Sequence, residues 1–127
     1  MHSINIDQRL PHKYPVRFIK EVELEGDDYA VSLVDFQEKP TLAMLVEAAA
    51  QNTVFIASLY AEFDGGVLTS IKNAESLKVF ELGVYRVKTS ITSRLDSFIV
   101  VSFAFLSKED ILAKGEINIV MNPRIKT

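Results

Sequence analysis

Glu47, Gln51 and Ser58 are polar side chains within a largely apolar stretch in the middle of the chain. Glu47 and Gln51 are four residues apart, and Ser58 falls at nearly the same angle around a helix, so the three would share one face. A carboxylate among apolar neighbours must pair with another group or stay protonated, because an unpaired buried charge is very costly. A carboxyl group held in this way can donate and accept protons near neutral pH. The spacing therefore predicts a catalytic stripe in which Glu47 is the acid or base.

The same stripe also has a purely structural interpretation. Glu47 could bond to a backbone amide or a basic side chain and only orient the helix. In the functional interpretation, Gln51 and Phe55 are the candidate substrate-binding residues. The residues alone leave both interpretations open.

Histidine is the other residue type that could move protons here, and the chain has two, His2 and His12. We assign no role to His2, which lies at the N-terminus, so His12 is the candidate catalytic imidazole. Its alternative role is that of a turn-stabilising side chain bonded to backbone. Two histidines ten residues apart, without acidic residues at ligand spacing, predict no metal site. The absence of cysteine excludes disulfides, cysteine-based zinc sites and a thiol nucleophile.

Length and composition describe one ordinary domain, residues 1–127. A hydrophobic content of 48% can form a real core, and a net charge of -3 does not predict a nucleic-acid surface. The longest apolar run, residues 42–50, contains Glu47 and is too short to span a bilayer. No signal-peptide pattern precedes it. We therefore expect a cytoplasmic protein that binds no nucleic acid, has no membrane span and needs no cofactor.

Periodicity and turn signals predict the elements that must position these residues. Two strands come first, then one long helix from Leu42 to Tyr60 with Thr41 as its N-cap, then three or four strands in a meander. The helix is apolar on nearly every side and must be buried. An antiparallel sheet curled around one buried helix is an α+β arrangement, the hotdog fold. The predicted strands are Val16–Glu25, Tyr29–Phe36, Val67–Ala74, Gly83–Ser93, Ser97–Ser107 and Ile111–Met121.

A single helix cannot cover every edge of such a sheet, and uncovered strand edges favour association. We therefore expect at least a dimer, either a homodimer or a heterodimer with a related hotdog protein.

Several motifs resemble the FabZ-type 3-hydroxyacyl-carrier-protein dehydratases over nearly the whole chain. The opening Leu10-Pro11-His12-Lys13-Tyr14-Pro15 is similar to the LPHRYP of that family, and residues 45–51, LVEAAAQ, are similar to its helix motif IEAxAQ. Further matches are residues 71–74 to ID-x-A, Gly83 to the glycine of PVxPGD, and residues 112–116 to the closing VAEAE strand. A short branch that resembles the dehydratases of aryl-polyene pathways shares the LPH opening and the overall length.

The resemblance implies that Glu47 has the catalytic carboxylate position. In the family a histidine from a GHFP loop before the helix works with this glutamate across the dimer interface. Here the chain has only Gln37-Glu38-Lys39-Pro40-Thr41 between Phe36 and Leu42, so that loop and its histidine are missing. A catalytic pair would require His12 to reach Glu47 of the same or the partner chain.

The leading hypothesis is therefore an acyl-thioester-binding protein that eliminates water from a 3-hydroxyacyl thioester carried on acyl carrier protein or coenzyme A. The first alternative is a non-catalytic homologue that serves as the binding or structural partner of an active dehydratase. The second is a thioesterase, in which Glu47 would direct water at the thioester carbonyl without a histidine.

Overall fold

The computed structural model describes residues 17–123. The N-terminal motif with His12 lies outside these residues. In chain order, the elements are β1 (Ile19–Glu25), β2 (Tyr29–Phe36), α1 (Leu42–Thr53), α2 (Ala57–Glu62), β3 (Phe63–Ser76), β4 (Gly83–Leu95), β5 (Phe98–Ser107) and β6 (Asp110–Pro123). None of the helices in this part of the chain is long and apolar enough to cross a membrane.

All six strands form one antiparallel sheet in the order β1-β2-β4-β5-β6-β3. The hairpin β1–β2 and the meander β4–β5–β6 confirm the predicted arrangement. β3 follows the helices and pairs with β6, so the chain crosses the whole sheet between β2 and β3. This crossover places the helical segment against one face of the sheet.

The core lies between that face and α1. Alternate residues of β5 point inwards, as a period-two strand requires, and Ile99, Val101 and Phe105 are completely buried. From α1, Leu45 and Ala49 pack into the same cluster. The prediction that a buried helix packs against the antiparallel sheet is confirmed.

Strand β1 departs from the predicted alternation. In the sequence, Glu21, Glu23 and Glu25 alternate with Val22 and Leu24, which is the period-two pattern of a half-buried strand. Two register shifts interrupt the pairing with β2, and Leu24 is 54% exposed. A bulge adds a residue to one strand and reverses the side-chain direction after it, so the alternation was wrong at Leu24. Val22 packs against the core and Glu21 is exposed, as the alternation predicts.

The predicted single helix over Leu42–Tyr60 is two helices. After Thr53 the backbone tightens, because the amides of Val54, Phe55 and Ile56 bond to carbonyls three residues back rather than four. No glycine or proline marks the break. The Thr53 hydroxyl donates to the Ala49 carbonyl at 3.0 Å, a side-chain bond that bends helices. The turn allows the consecutive residues Phe55 and Ile56 to be buried together.

Candidate functional site

The first helix, α1, begins at a well-formed cap. The Thr41 hydroxyl accepts a hydrogen bond from the Met44 amide at 3.2 Å, which satisfies one of the amides left unpaired in a first helical turn. Thr41 is therefore confirmed as the N-cap. The cap sets where the helix starts and thus which face each of its polar residues occupies.

The predicted pair Glu47 and Gln51 does meet on one face of α1. Gln51 is 1% exposed, its Nε2 donates to Glu47 Oε1 at 3.4 Å, and its Oε1 accepts from the Phe18 amide at 2.8 Å. The first contact is long and weak, whereas the second is an ordinary hydrogen bond. Gln51 therefore joins the start of β1 to the helix and holds one side of the Glu47 carboxylate. Glu47 itself is half-buried.

Ser58 is not part of this stripe, which corrects the prediction. It lies in α2, where its hydroxyl donates to the Asp27 carbonyl in the β1–β2 turn. Its own amide donates to the same carbonyl at 3.3 Å, and the neighbouring Ala57 amide donates to the Gly26 carbonyl at 2.9 Å. The helix break before α2 removes Ser58 from the Glu47 face and makes it an anchor of α2.

Asn52 is a buried polar residue that sequence reasoning missed. Its Nδ2 donates to the Ala30 carbonyl and to the Thr89 hydroxyl, each at 3.0 Å, and its Oδ1 accepts from the Ser32 hydroxyl. The three side chains of this network, Asn52, Ser32 and Thr89, are completely buried. The network connects α1 to β2 and β4. The available signal was the polar run Gln51-Asn52-Thr53 within an apolar segment.

The remaining candidates are placed as follows. Phe55 lies in the turn between α1 and α2, is completely buried, and belongs to the core cluster. Its contact with an acyl chain stays a prediction. His12 is outside the described residues, so its approach to Glu47 also stays a prediction. Within residues 17–123, no cluster of three or more histidine, aspartate or glutamate side chains could hold a metal ion.

A cavity of about 90 Å³ lies beside the helix break. Ala50 and Thr53 of α1 and the next residue after the helix, Val54, line one side of it. The remaining walls come from α2, β3 and β6, and most of their side chains are apolar. Apolar walls suit a hydrocarbon group better than a polar ligand.

The cavity and the carboxylate share one face of α1. Glu47 is three residues before Ala50, so the two lie on one side of the helix. Glu47 is not one of the residues that line the cavity. At 1.5 Å per residue, the helix carries its backbone about 4.5 Å from Glu47 to Ala50. The carboxylate and the Ala50 wall of the cavity are therefore within about one helical turn of each other along α1.

This architecture matches solved structures at low sequence identity. The dehydratase heterocomplex ApeI:P from Xenorhabdus doucetiae has a TM-score of 0.80 at 15% identity, covering 97% of this chain and 94% of that chain. A hypothetical thioesterase with coenzyme A from Streptococcus pneumoniae has a TM-score of 0.68 at 16% identity, covering 84% and 88%. A Streptococcus mutans protein bound to acetyl CoA has a TM-score of 0.69 at 12% identity, covering 91% and 99%.

No model of a protein family matches the sequence, and no curated protein does. At identities this low, structural likeness shows the fold and not the activity. The neighbours are hotdog proteins, and they share with this chain an antiparallel six-stranded sheet around a central helix. The chain therefore has the hotdog fold.

Proposed function

We propose that this protein binds acyl thioesters beside α1 and eliminates water from a 3-hydroxyacyl thioester. The observation that carries the proposal is the Glu47–Gln51–Phe18 chain of hydrogen bonds. It places a half-buried carboxylate in contact with Gln51, within about one helical turn of an apolar cavity. A proton-transferring group next to a hydrocarbon pocket is what elimination from an acyl chain requires.

The elimination needs two proton transfers. One group removes the C2 proton, and a second protonates the C3 hydroxyl, which leaves as water while the C2–C3 double bond forms. Glu47 is one of these groups, and His12 is our candidate for the other. The matches of the LPH opening and the helix motif to 3-hydroxyacyl-carrier-protein dehydratases support this assignment. Gln51 acts as a positioning residue, because it bonds to the Glu47 carboxylate.

The substrate carrier is acyl carrier protein or coenzyme A. Two solved structures with this fold contain coenzyme A or acetyl CoA, which supports a thioester ligand for this chain as well. The test is to measure water loss from 3-hydroxyacyl thioesters, and water addition to 2-enoyl thioesters, on both carriers. Turnover that falls at least a hundredfold in both Glu47→Gln and His12→Ala is the expected result. Folded protein without turnover on short, long and aryl substrates would refute the dehydratase.

We also propose that the working unit is a dimer. Strand β3 is an edge strand of fourteen residues, and its side chains Val67 and Ile71 are 58% and 49% exposed. A long edge strand with exposed apolar side chains favours pairing with another strand. Sedimentation equilibrium should give twice the chain mass, and Ile71→Lys should shift the protein toward monomer. A wild-type monomer at micromolar concentration would contradict this proposal.

A second candidate is a non-catalytic partner of an active dehydratase. It is favoured by the match to a dehydratase heterocomplex and by the short Phe36–Leu42 connection, which has no histidine. In this case the protein alone would be inactive. Mixing it with a catalytic hotdog dehydratase would give a heterodimer whose activity does not change in Glu47→Gln.

A third candidate is a thioesterase, favoured by the match to a hypothetical thioesterase with coenzyme A. Release of free thiol from acyl-CoA, lost in Glu47→Gln and kept in His12→Ala, would distinguish hydrolysis from dehydration. In the dehydratase, thiol release would be absent from all three proteins.

A further inference from the structure

The cavity exists because the helical segment breaks. Residues on both sides of the break line it: Ala50 and Val54 come from the end of α1, and Leu59 and Tyr60 come from α2. A continuous helix would carry the residues after Val54 along the α1 axis. The tight turn instead directs α2 toward β3, and the space between the two helices and the sheet remains open.

The far side of the cavity is closely packed. Gly66 of β3 lies against β6, where an added Cβ would stand 2.6 Å from Met121 Sδ and 2.8 Å from Ile119 Cγ2. These three residues form one wall of the cavity. Because β3 and β6 already touch at this point, the wall cannot recede to admit a longer ligand without moving a strand.

The α2 wall is held at both ends. At its start, the Ala57 amide donates to the Gly26 carbonyl at 2.9 Å. At its end, Glu62 forms an ion pair with Arg94 of β4, whose guanidinium also lies 5.2 Å from the centre of the Phe63 ring. Phe63 itself lines the cavity. The α2 wall is therefore held against the sheet at both ends, and the other two walls, β3 and β6, are strands of that sheet.

We propose that this cavity receives the far end of the acyl chain, and that Ala50 determines the longest chain the protein accepts. The inference rests on the proposed acyl-thioester function. Ala50 lines the cavity and is three residues from Glu47, where the reaction would occur. Because Ala50 lines the cavity with only a methyl group, a larger side chain at this position would occupy part of the cavity.

The size of the cavity sets a limit of a few carbons. A cavity of about 150 Å³ lined by leucine, isoleucine and phenylalanine holds one benzene molecule, with six carbons. On the same scale, the 90 Å³ present here holds about three or four carbons. Leucine is three carbons larger than alanine, so Ala50→Leu would fill most of the cavity. Val54→Ala removes two carbons and would enlarge it.

The experiment measures binding of S-alkyl coenzyme A thioethers with two to twelve carbons by calorimetry. These probes neither lose water nor hydrolyse, so affinity is measured apart from turnover. For the wild type, affinity should rise about fourfold per methylene until the cavity is filled and then stop rising. In Ala50→Leu this limit should come about three carbons earlier, with a loss of about 60-fold for the longest chain that the wild type accommodates.

Two further variants keep the test independent of folding defects. Ala43→Leu makes the same change in the same helix, but residue 43 is exposed and lies outside the cavity, so the length profile should not change. Val54→Ala should move the limit in the opposite direction, by up to about two carbons. Two variants with opposite shifts cannot both result from a general loss of structure.

The proposal fails if affinity does not depend on chain length, which includes the absence of binding at every length. It also fails if Ala50→Leu and Ala43→Leu give the same profile. Turnover separates this result from the fate of the proposed reaction. Dehydration with an unchanged length profile in Ala50→Leu would refute the proposed acyl pocket and support the proposed reaction. A shifted length profile without any turnover would support the pocket and refute the reaction.

Discussion

Replacing Asn52 tests how α1 is held against the sheet. In Asn52→Leu the side chain keeps a similar volume, but the Ser32 and Thr89 hydroxyls lose their bonds to Asn52. Both residues are completely buried, so water cannot replace these bonds without opening the core. A buried polar group left without a partner costs about 1–3 kcal/mol. Two such hydroxyls predict a loss of about 2–6 kcal/mol in the free energy of unfolding.

Urea denaturation measures this loss directly, since the transition midpoint falls while the slope stays constant for an unchanged two-state protein. The informative comparison is the triple variant Asn52→Leu, Ser32→Ala, Thr89→Val. It removes the whole network at nearly constant shape, and replacing all partners together by apolar groups can be nearly neutral. We expect the triple variant to recover most of the stability that the single variant loses.

The control is Asn122→Leu, which makes the same substitution on an exposed part of β6 and should change stability by less than about 0.5 kcal/mol. If Asn52→Leu lowers the free energy of unfolding by less than about 1 kcal/mol, the Ser32 and Thr89 hydroxyls do not depend on Asn52 for their stabilisation. A triple variant no more stable than the single one would also refute the prediction, because the loss would then not come from unsatisfied hydroxyls.

Two other substitutions test polar contacts seen in the structure. Gln51→Leu leaves the Phe18 amide without its acceptor, so urea denaturation should show a loss of about 1–3 kcal/mol, and turnover should fall because Glu47 loses its positioning partner. The hydrogen bond from Arg86 lowers the pKa of the Glu23 carboxyl below its usual value of 4.5. The pair therefore stabilises the folded state above the unfolded pKa, and this contribution is lost as pH falls through the folded pKa. Because the pair is partly exposed, Glu23→Gln should cost less than about 1 kcal/mol at pH 7, with a difference from wild type that vanishes on acidification.

Local patterns predicted the elements well where one face is buried and the other is not. β2 begins at Tyr29 and ends at Phe36 as predicted, because the turn residues before it and the loop after it are local signals. The position of β3 at the far edge of the sheet could not be predicted from local patterns. Its pairing with β6 joins residues 37 to 60 positions apart, which no local window of sequence contains.

The helix break was missed for a similar reason. Breaks are normally predicted from glycine or proline, and neither is present between Pro40 and Gly65. The break results from burial of Phe55 and Ile56 and from the Thr53 hydroxyl bond to the Ala49 carbonyl. These are tertiary effects that override helix propensity.

The candidate site was predictable only in part. The spacing of Glu47 and Gln51 was enough to place them on one face, because four residues make about one helical turn. The partner of Gln51, the Phe18 amide, is thirty-three residues away and could not be inferred. Ser58 was assigned to the wrong face because the assignment assumed an unbroken helix.

The most direct test of Glu47 as a proton-transferring group compares wild type with Glu47→Gln in dehydration of a 3-hydroxyacyl thioester. Glu21→Gln, on the exposed side of β1, is the control. Binding of an S-alkyl coenzyme A thioether is measured on the same samples. We expect Glu47→Gln to bind the thioether as wild type does and to lose at least a hundredfold in turnover, while Glu21→Gln keeps both. Equal turnover in wild type and Glu47→Gln would contradict this role of Glu47.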